Sequence, residues 1–305
     1  MAKTTVKTST KLTSEPDIQT NVKIKNILII YRPESSNAAK AAEELAAWLK
    51  KRKLTVFSHP SQKIGPDIKK IKRGQLNDLQ LVIVLGGDGT YLQAVRLLGN
   101  EHVPILGVNM GSLGFLAATR KEDLYNIVTL ALDNKLEKRP RAMICVKVQR
   151  NGKTISSSNA LNDVVIERST YSQLINIAIY SENHLVNEVK ADGILIATPT
   201  GSTAYNLSAG GPILHPYVHA LVVTPICPHS LTHRPILFPD DQMLTFRLLN
   251  KKQSALLSVD GQGEEGLLAG DEITVTRSQC DHYFLRKPSQ NYFELLREKL
   301  KFGER

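Results

Sequence analysis

The sequence predicts an α/β domain with a parallel sheet at residues 23–125, followed by a mostly antiparallel β domain at residues 126–280. Two observations carry this prediction. Up to about residue 125, short apolar runs alternate with helical patterns, whereas beyond it short β-branched runs separated by turn residues dominate. Residues 281–305 are predicted to be a helical segment that packs back on the α/β domain. A chain of 305 residues is long enough for two such domains.

The first domain is expected to alternate strand and helix. Its predicted strands are KNILIIY (25–31), LTVFS (54–58), LQLVIVL (79–85) and VPILGVNM (103–110). Its predicted helices are NAAKAAEELAAWLKKRK (37–53), TYLQAVRLLG (90–99) and KEDLYNIVTLALDN (121–134). Apolar strands that alternate with helices favour a parallel sheet, in which loops at the carboxyl ends of the strands form the binding crevice. The motif LGGDGT lies at such an end.

The second domain begins with a predicted hairpin, in which Asn151-Gly152 joins two β-type runs. The strands expected after it are INIAIYSE, HLVNEV, GILIATP, ALVVTPI, MLTFRLL, SALLSVD and DEITVTR. Residues 190–213 are dense in Gly, Ser and Thr, and we interpret them as a long polar loop of functional importance. The chain closes with SQNYFELLREKL after Pro288, which is typical of a helix.

Composition narrows the class of protein and its surroundings. The three cysteines show no CxxC spacing, so reduced thiols are expected rather than a disulfide framework or a zinc site. No run approaches the roughly 18 apolar residues of a membrane span, and the start of the chain lacks the apolar centre of a secretory signal. We therefore expect a cytoplasmic protein without a membrane partner.

The formal net charge of +10 favours an anionic ligand. Residues 1–22 are rich in Thr, Ser and Lys and are predicted to be a disordered basic tail. The basic runs at 50–53 and 69–73 contain no aromatic residue that could stack on a base, so they are interpreted as solvated surface and no nucleic-acid partner is expected. A phosphorylated small molecule fits the charge.

The glycine cluster GGDGT is the first motif that indicates chemistry. Backbone N–H groups of Gly86, Gly87, Gly89 and Thr90 are expected to bind phosphate oxygens at the positive end of the following helix. Asp88 would repel that phosphate, so we predict that it acts on a hydroxyl held in line with the terminal phosphorus and accepts the proton. The alternative is a tight turn in which Asp88 only caps the helix.

The sequence supports neither of two other common phosphate-binding motifs. No GxxxxGK[ST] sequence occurs, which excludes a Walker loop. GQGEEG at 261–266 matches the dinucleotide fingerprint by letter, but it carries Glu264 and Glu265 and runs into a strand pattern instead of a helix. It is predicted to be a hairpin loop.

Five segments together resemble the NAD kinases. In chain order they are GGDGT, the pair Asn162-Asp163 in ALNDVVIERS, KADGILIATPTGSTAYNLSAGGPILHP, PICPHSLTHRPI and SVDGQ, and the similarity covers essentially residues 24–300. GGDGT alone is shared with diacylglycerol-type lipid kinases and phosphofructokinases, whereas TPTGSTAYNLSAGGP is highly specific. The resemblance implies an NAD kinase-like fold with a site between the two domains, and assembly into a homodimer or homotetramer.

The resemblance also implies an activity and its residues. Members transfer a phosphoryl group from ATP, or in some cases polyphosphate, to the 2′-hydroxyl of the adenosine ribose of NAD, with a divalent cation for which Mg²⁺ is expected. Asp88 matches the proton acceptor, and no residue is implied as a metal ligand. The implied NAD contacts are Asp88, Gly89, Asn162, Asp163, Lys190, Asp192, Thr203, Ala204, Tyr205, Asn206, Ser208 and Gln262. Lys190 stands where many relatives have Arg, so it cannot form a bidentate pair.

Two functions of other classes stay open beside it. A lipid or sugar kinase would share GGDGT, but the polar stretch 190–213 does not suit an acyl chain. A non-catalytic regulator that binds NAD(P) would keep the nucleotide loops without needing Asp88. The choices between ATP and polyphosphate, and between NAD and NADH, are also open.

Overall fold

The computed structural model describes residues 23–169, 173–250 and 254–301. The predicted tail, residues 1–22, lies outside the described residues. The predicted fold class is confirmed, since a mostly parallel α/β sheet is followed by antiparallel β-sheets. No helix among the described residues is both long enough and apolar enough to cross a membrane.

The first lobe is a sheet with helices on both faces. Its first seven strands are β1 (Asn26–Tyr31), β2 (Thr55–Ser58), β3 (Lys69–Lys70), β4 (Leu81–Gly86), β5 (Ile105–Asn109), β6 (Thr119–Arg120) and β7 (Glu137–Arg141). Its helices are α1 (Ser36–Lys51), α2 (Asp88–Leu98) and α3 (Leu124–Leu132). Short 3₁₀ turns occupy Arg73–Asp78 and Lys121–Asp123.

Alternation along the strands explains the two helical layers. Ile27 and Ile29 of β1 face the buried side chains of α1 and α3, while Leu28 and Ile30 face those of α2. Because both faces are covered, these strands are apolar at nearly every position. Helix α1 begins where the Ser35 side chain accepts a hydrogen bond from the Ala38 N–H at 3.2 Å, within one residue of the predicted start.

The second lobe contains two antiparallel sheets. One has the order β15-β14-β13-β10-β17-β18 and the other the order β12-β11-β16-β19-β8-β9. The strands are β8 (Ile144–Arg150), β9 (Lys153–Ala160), β10 (Asp163–Arg168), β11 (Ile175–Ser181), β12 (His184–Ala191), β13 (Gly193–Ala197), β14 (Ala220–Ile226), β15 (Ile236–Pro239), β16 (Leu244–Leu248), β17 (Ser254–Val259), β18 (Gln262–Leu268) and β19 (Glu272–Arg277). Their inner faces share one apolar core.

Two sequence-based predictions for the second lobe were wrong. Residues 190–213 are not one long loop, because β13 is a fully buried strand between β10 and β14, as the predicted strand GILIATP indicated, and helical turns follow at Gly201–Thr203 and α4 (Tyr205–Ser208). GQGEEG is mostly strand β18 rather than a hairpin loop, and the turn itself lies at Asp260-Gly261. The Asn151-Gly152 hairpin is confirmed, with φ of 51° and 74° at its two turn residues.

The end of the chain returns to the first lobe. Strand β20 (His282–Arg286) pairs parallel with β5 and antiparallel with β7, and α5 (Tyr292–Leu300) follows. The sheet therefore has the order β3-β2-β1-β4-β5-β20-β7, with β6 paired to β5. The chain crosses between the lobes twice, and the sequence-based boundaries at 125 and 280 stay predictions.

Candidate active site at the junction of the two lobes

The glycine motif lies where the chain reverses its direction across the first sheet. From β1 the chain adds β2 and β3 on one side, and then β4 and β5 on the other. In an open α/β sheet, ligands bind outside the carboxyl ends of the two strands at such a switch point. Those ends carry Arg32, directly after β1, and Gly87, directly after β4.

A cavity of about 660 Å³ opens at this point, which we call the donor cavity. Its lining residues are Arg32, Pro33, Glu34, His59, Gly87, Gly89, Thr90, Gln93, Arg96, Leu97 and Gln262. The glycines form its floor at the start of α2, where free N–H groups and the helix dipole favour an anion. Arg32 and Arg96 add positive charge, while burial lowers the pKa of His59 and keeps that ring neutral at pH 7.

The glycines of the motif have different roles. A Cβ added at Gly86 would lie 2.4 Å from the Thr90 hydroxyl oxygen, so Gly86 is required for close packing beneath the loop. A Cβ at Gly87 or Gly89 would have no heavy atom within 4 Å. The absence of a side chain at these two residues therefore leaves the backbone accessible from the cavity. Of the four predicted phosphate-binding residues, Gly87, Gly89 and Thr90 line the cavity and Gly86 does not.

The Asp88 carboxylate holds the loop that follows β5. Its Oδ1 accepts hydrogen bonds from the backbone N–H groups of Leu116 and Ala117, both at 3.0 Å, and its Oδ2 accepts one from Phe115 at 2.9 Å. A Cβ at Gly114 would lie 2.0 Å from Oδ1, so the loop approaches closely only because residue 114 is glycine. A carboxylate offers about four acceptor positions, which leaves about one for a ligand.

A second cavity, of about 430 Å³, adjoins the first from the β lobe, and we call it the acceptor cavity. Its lining residues are Leu92, Asn162, Asp163, Val165, Glu167, Ala204, Tyr205, Ser258, Asp260, Gly261, Gln262 and Gly263. Asn162, Asp163, Ala204, Tyr205 and Gln262 were predicted as NAD contacts, and the structure brings these five together. Gln262 lines both cavities, and its side-chain oxygen accepts a hydrogen bond from the Arg96 guanidinium of α2.

Two carboxyl groups meet at the wall of the acceptor cavity. Burial, reinforced by the charge of Asp260, raises the pKa of Asp163 from 3.8 to about 7. Burial also raises the pKa of Asp260, although hydrogen bonds from three backbone N–H groups oppose that rise. A carboxyl group of this kind titrates near neutral pH, so Asp163 can donate as well as accept a hydrogen bond.

Several predicted NAD contacts lie elsewhere. Asn206 is fully buried, and its amide donates to the Ser202 and Pro212 carbonyls while its oxygen accepts from Thr224. Asp192 pairs with Arg168 at 3.1 Å. The remaining four predicted contacts that line neither cavity are Lys190 and Ser208, which are exposed, Thr203, which lines a small cavity behind the Asp88 loop, and Asp88 itself.

Sequence reasoning missed several residues of the two cavities. Arg32 directly follows the first predicted strand, so the rule applied to LGGDGT would have found it there too. Asp260 stands inside the quoted motif SVDGQ, but no role was assigned to it. Arg96 lies eight positions after Asp88 on α2, and only the arrangement of the lobes shows that it reaches Gln262.

The described residues contain no group of three or more His, Cys, Asp or Glu side chains that could hold a metal ion. A Mg²⁺ ion needs no such group when it is held mainly by substrate phosphates and water. The donor cavity, with bare backbone and few carboxylates, fits an ion that arrives with a phosphorylated ligand.

Fold and site define the class of two-lobed nucleotide-binding proteins, with a glycine loop at the start of a helix beside a polar cavity of a β lobe. Comparison with known proteins specifies the family. The family model described as "ATP-NAD kinase N-terminal domain" matches residues 27–136, and the one described as "ATP-NAD kinase C-terminal domain" matches residues 161–287. The chain belongs to the ATP-NAD kinase family.

Individual relatives agree with the family models. The chain is 54% identical over 281 residues to an NAD kinase of Bdellovibrio bacteriovorus, covering 92% of this chain and 93% of the relative. It is 39% identical over 284 residues to an NAD kinase of Geobacter sulfurreducens, covering 92% of this chain and all of the relative.

Solved structures show the same arrangement. A yeast NADH kinase complexed with NADH is similar with a TM-score of 0.85 and 28% identity, over 93% of this chain and 90% of the yeast chain. An NAD kinase from Archaeoglobus fulgidus in complex with ATP is similar with a TM-score of 0.70 and 23% identity, over 90% of this chain and 99% of the archaeal chain, and it supports the fold alone.

Proposed function

We propose that this protein transfers the terminal phosphoryl group of ATP to the 2′-hydroxyl of the adenosine ribose of NAD and so forms NADP. The observation that carries the proposal is the junction of two cavities at Gln262, one lined by the glycine loop and the other by Asn162 and Asp163. A donor phosphate and a ribose hydroxyl can approach each other there. Membership of the ATP-NAD kinase family supports both substrates.

The donor phosphates occupy the donor cavity in this proposal. The N–H groups at the start of α2 bind phosphate oxygens, and Arg32 and Arg96 offset their charge. A divalent cation, with Mg²⁺ expected, accompanies the phosphates and neutralises charge on them. No side chain is assigned to it.

Asp88 accepts the proton of the 2′-hydroxyl as that oxygen attacks the terminal phosphorus. A new P–O bond forms to the ribose, the bond to the leaving diphosphate breaks, and its electrons remain on ADP. Three backbone donors occupy most of the Asp88 carboxylate, and the free acceptor position is assigned to the hydroxyl. The fixed carboxylate orients the hydroxyl, and general-base assistance of this type is worth about 10² to 10⁴ in rate.

Asn162 and Asp163 bind ribose hydroxyls in the acceptor cavity, with Tyr205 at its rim. NAD contacts of Gly89, Ala204 and Gln262 are proposed on the same lining. The contacts implied for Lys190, Asp192, Thr203, Asn206 and Ser208 stay predictions, as do the cytoplasmic location and assembly into a homodimer or homotetramer.

A lipid kinase is the weaker alternative. The acceptor cavity is lined by carboxyl, amide and hydroxyl groups, and an acyl chain gains little there. A regulator without activity would need Asp88 only to hold the loop at residues 115–117, whereas the proposal also assigns its free acceptor position to the substrate hydroxyl.

One set of assays tests the proposal. Purified protein is incubated with Mg²⁺, either NAD or NADH, and either ATP or polyphosphate, and the product is identified by phosphorus NMR. We expect phosphorylation at the 2′-position of NAD with ATP. Protein that binds NAD but forms no phosphorylated dinucleotide with either donor would contradict the proposal.

A further inference from the structure

The turn between β17 and β18 faces the segment that carries Asn162 and Asp163. Asp260 and Gly261 form this turn with φ of 50° and 65°. The Asp260 N–H donates to the Asp163 carbonyl at 2.9 Å, which brings the Asp260 side chain over the backbone of residues 161–163. The turn therefore reaches the acceptor cavity from the strand next to β10.

The Asp260 carboxylate accepts hydrogen bonds from three consecutive backbone N–H groups. Its Oδ2 accepts from Leu161 at 2.9 Å, and its Oδ1 accepts from Asn162 at 2.7 Å and from Asp163 at 3.1 Å. The ladder between β10 and β17 starts only at Val164. The carboxylate thus takes the place of a neighbouring strand for three N–H groups that lie ahead of the ladder.

The same segment is fixed from its other side. The Thr198 N–H donates to the Asn162 carbonyl at 2.9 Å, and the Thr198 hydroxyl donates to the Leu161 carbonyl at 2.5 Å. A Cβ at Gly201 would lie 2.1 Å from the Asn162 carbonyl oxygen, so the backbone packs closely there. Asp260 on one side and Thr198 on the other leave the segment little freedom.

The side chains on this fixed segment are directed at the ligand space. Asn162 and Asp163 are only 8% and 4% exposed, yet both line the acceptor cavity. Within the described part of the chain, neither the Asn162 amide nor the Asp163 carboxyl group has a hydrogen-bond partner in the protein. The polar atoms of both side chains are open to the cavity, where a ligand can pair with them.

The turn itself does not require a carboxylate. Asn or Gly adopts a φ near 50° with as little strain as Asp, and neither would place a negative charge beside Asp163. The charge therefore costs stability, and only a carboxylate has enough acceptor positions for three N–H donors. A role in the site explains the residue better than a role in the turn.

We infer that Asp260 is a positioning residue, which holds the backbone of residues 161–163 so that Asn162 and Asp163 present their side chains to the ribose of the dinucleotide. The inference rests on the proposed function for the identity of that ligand. Asp260 acts through the segment that it holds. Replacing Asp260 therefore weakens NAD binding because the interactions that Asn162 and Asp163 make with NAD are weakened.

The test compares Asp260→Asn with a matched control, Asp271→Asn. Asp271 lies at the opposite end of β18, accepts a backbone N–H from Leu268 at 2.8 Å and pairs with Arg150, and it lines neither cavity. NAD affinity is measured by calorimetry and the KM values by NADP formation. We expect Asp260→Asn to weaken NAD binding by about tenfold or more, as loss of charge-assisted hydrogen bonds does, with the KM for ATP changed by less than about twofold. Asp271→Asn should lower the melting temperature without changing NAD affinity.

A double-mutant cycle with Asn162→Ala separates positioning from a general loss of structure. If Asp260 acts in part through residue 162, the loss of NAD affinity in the double mutant is smaller than the sum of the two single losses. Fully additive losses, or NAD affinity of Asp260→Asn equal to wild type, would overturn the inference. Should Asp260→Asn fail to fold, Asp260→Gly keeps the turn conformation and is measured in its place. Failure of both to fold, with Asp271→Asn folded, would show that Asp260 is structural and would also overturn it.

The calorimetry keeps the inference distinct from the proposed function. Wild-type protein that binds NAD but forms no NADP contradicts the kinase proposal and leaves the Asp260 result readable. Wild-type protein that does not bind NAD contradicts both.

Discussion

Asp88 has two tasks at the scale of the single residue. It stands between Gly87 and Gly89, which line the donor cavity, and its carboxylate accepts three backbone hydrogen bonds from the loop at residues 115–117. The alternative prediction, that Asp88 has a structural role, is therefore correct in part. Asp88 does not cap α2, whose N-cap residue is Gly87, but holds a distant loop instead. A substitution at this position changes chemistry and loop geometry together.

Asp88→Asn is expected to reduce NADP formation by about 10² to 10⁴ while the protein remains folded. Asn has one acceptor oxygen, so its NH₂ group would face at least one of the N–H donors of the loop, and loss of such a hydrogen bond costs about 1 to 3 kcal/mol. Kinetics under saturating ATP and Mg²⁺ are measured with thermal melts, and the surface variant Asp67→Asn is the control. Turnover within about threefold of wild type would remove Asp88 from the chemistry.

Asn162→Ala is expected to weaken NAD binding far more than folding. The amide has no protein partner among the described residues, so its removal leaves a substrate hydroxyl unpaired instead of a protein group, at a cost of about 1 to 3 kcal/mol in binding. Calorimetry with NAD measures the loss. Asn159→Ala, on the preceding strand, removes a bond to Asn100 at 2.8 Å and serves as the control. Equal NAD affinities in the two variants would exclude Asn162 from the site.

At the scale of the element, helix α2 connects the site to the β lobe and to strand β20. Its first turn forms the floor of the donor cavity, and Arg96 near its end reaches Gln262 of the β lobe. Between them, the buried Tyr91 hydroxyl lies 2.7 Å from Nε2 of His282 on β20. Burial lowers the pKa of His282 to about 3, so the ring is neutral, and the Tyr91 hydroxyl and Nε2 of His282 share a hydrogen bond.

Tyr91→Phe tests this connection. The substitution keeps the ring in the core but leaves a buried nitrogen of His282 unpaired, which costs about 1 to 3 kcal/mol. Each kcal/mol lowers the melting temperature by roughly 2 to 4 °C in a protein of this size. Tyr125→Phe, at an exposed tyrosine, should melt like wild type. A melting temperature of Tyr91→Phe equal to that of the control would show that the hydrogen bond adds nothing.

The predictability of an element depended on whether its pattern is local. The β4–α2 unit could be predicted because an apolar run, glycines and a helical stripe follow one another directly. Strand β13 was predicted from its apolar run GILIATP, but the helical turns at Gly201–Thr203 and Tyr205–Ser208 were missed because this stretch is dense in Gly, Ser and Thr and is too short to show a helical period. Strand β7, with the sequence EKRPR, has no apolar signal at all, and it exists because β20 returns beside it.

At the scale of the whole molecule, the site depends on contacts between distant parts of the sequence. Arg96 and Gln262 are 166 residues apart, and Asp260 lies 97 to 99 residues from the N–H groups that it binds. Neither the hydrophobic periodicity of a sequence nor the spacing of its motifs indicates such pairs. The sequence could therefore indicate Asn162, Asp163 and Gln262 through their motifs, but not the cavities that they share or the carboxylate that holds two of them.

Two buried groups give the folded protein opposite responses to pH. Asp163 has a pKa of about 7 in the folded state against 3.8 unfolded, so its contribution is greatest below pH 3.8 and is lost as the pH rises to about 7. His282 has a pKa of about 3 against 6.5, so its contribution is present above pH 6.5 and is lost as the pH falls toward 3. Between roughly pH 4 and 6.5 the two effects oppose each other.

Asp163→Asn should therefore remove the contribution of Asp163, and the difference between the variant and wild type isolates that contribution because both proteins keep His282. Asn keeps the size of the side chain but cannot titrate, so the free energy of unfolding of the variant, relative to wild type, should increase as the pH rises from about 4 to 7 and then level off. The slope for one proton is at most about 1.4 kcal/mol per pH unit. Urea unfolding at a series of pH values from 4.5 to 8, about half a unit apart, measures the difference between the two proteins. A difference that stays constant over this range would show that Asp163 is ionised in the folded protein throughout, and would contradict the raised pKa.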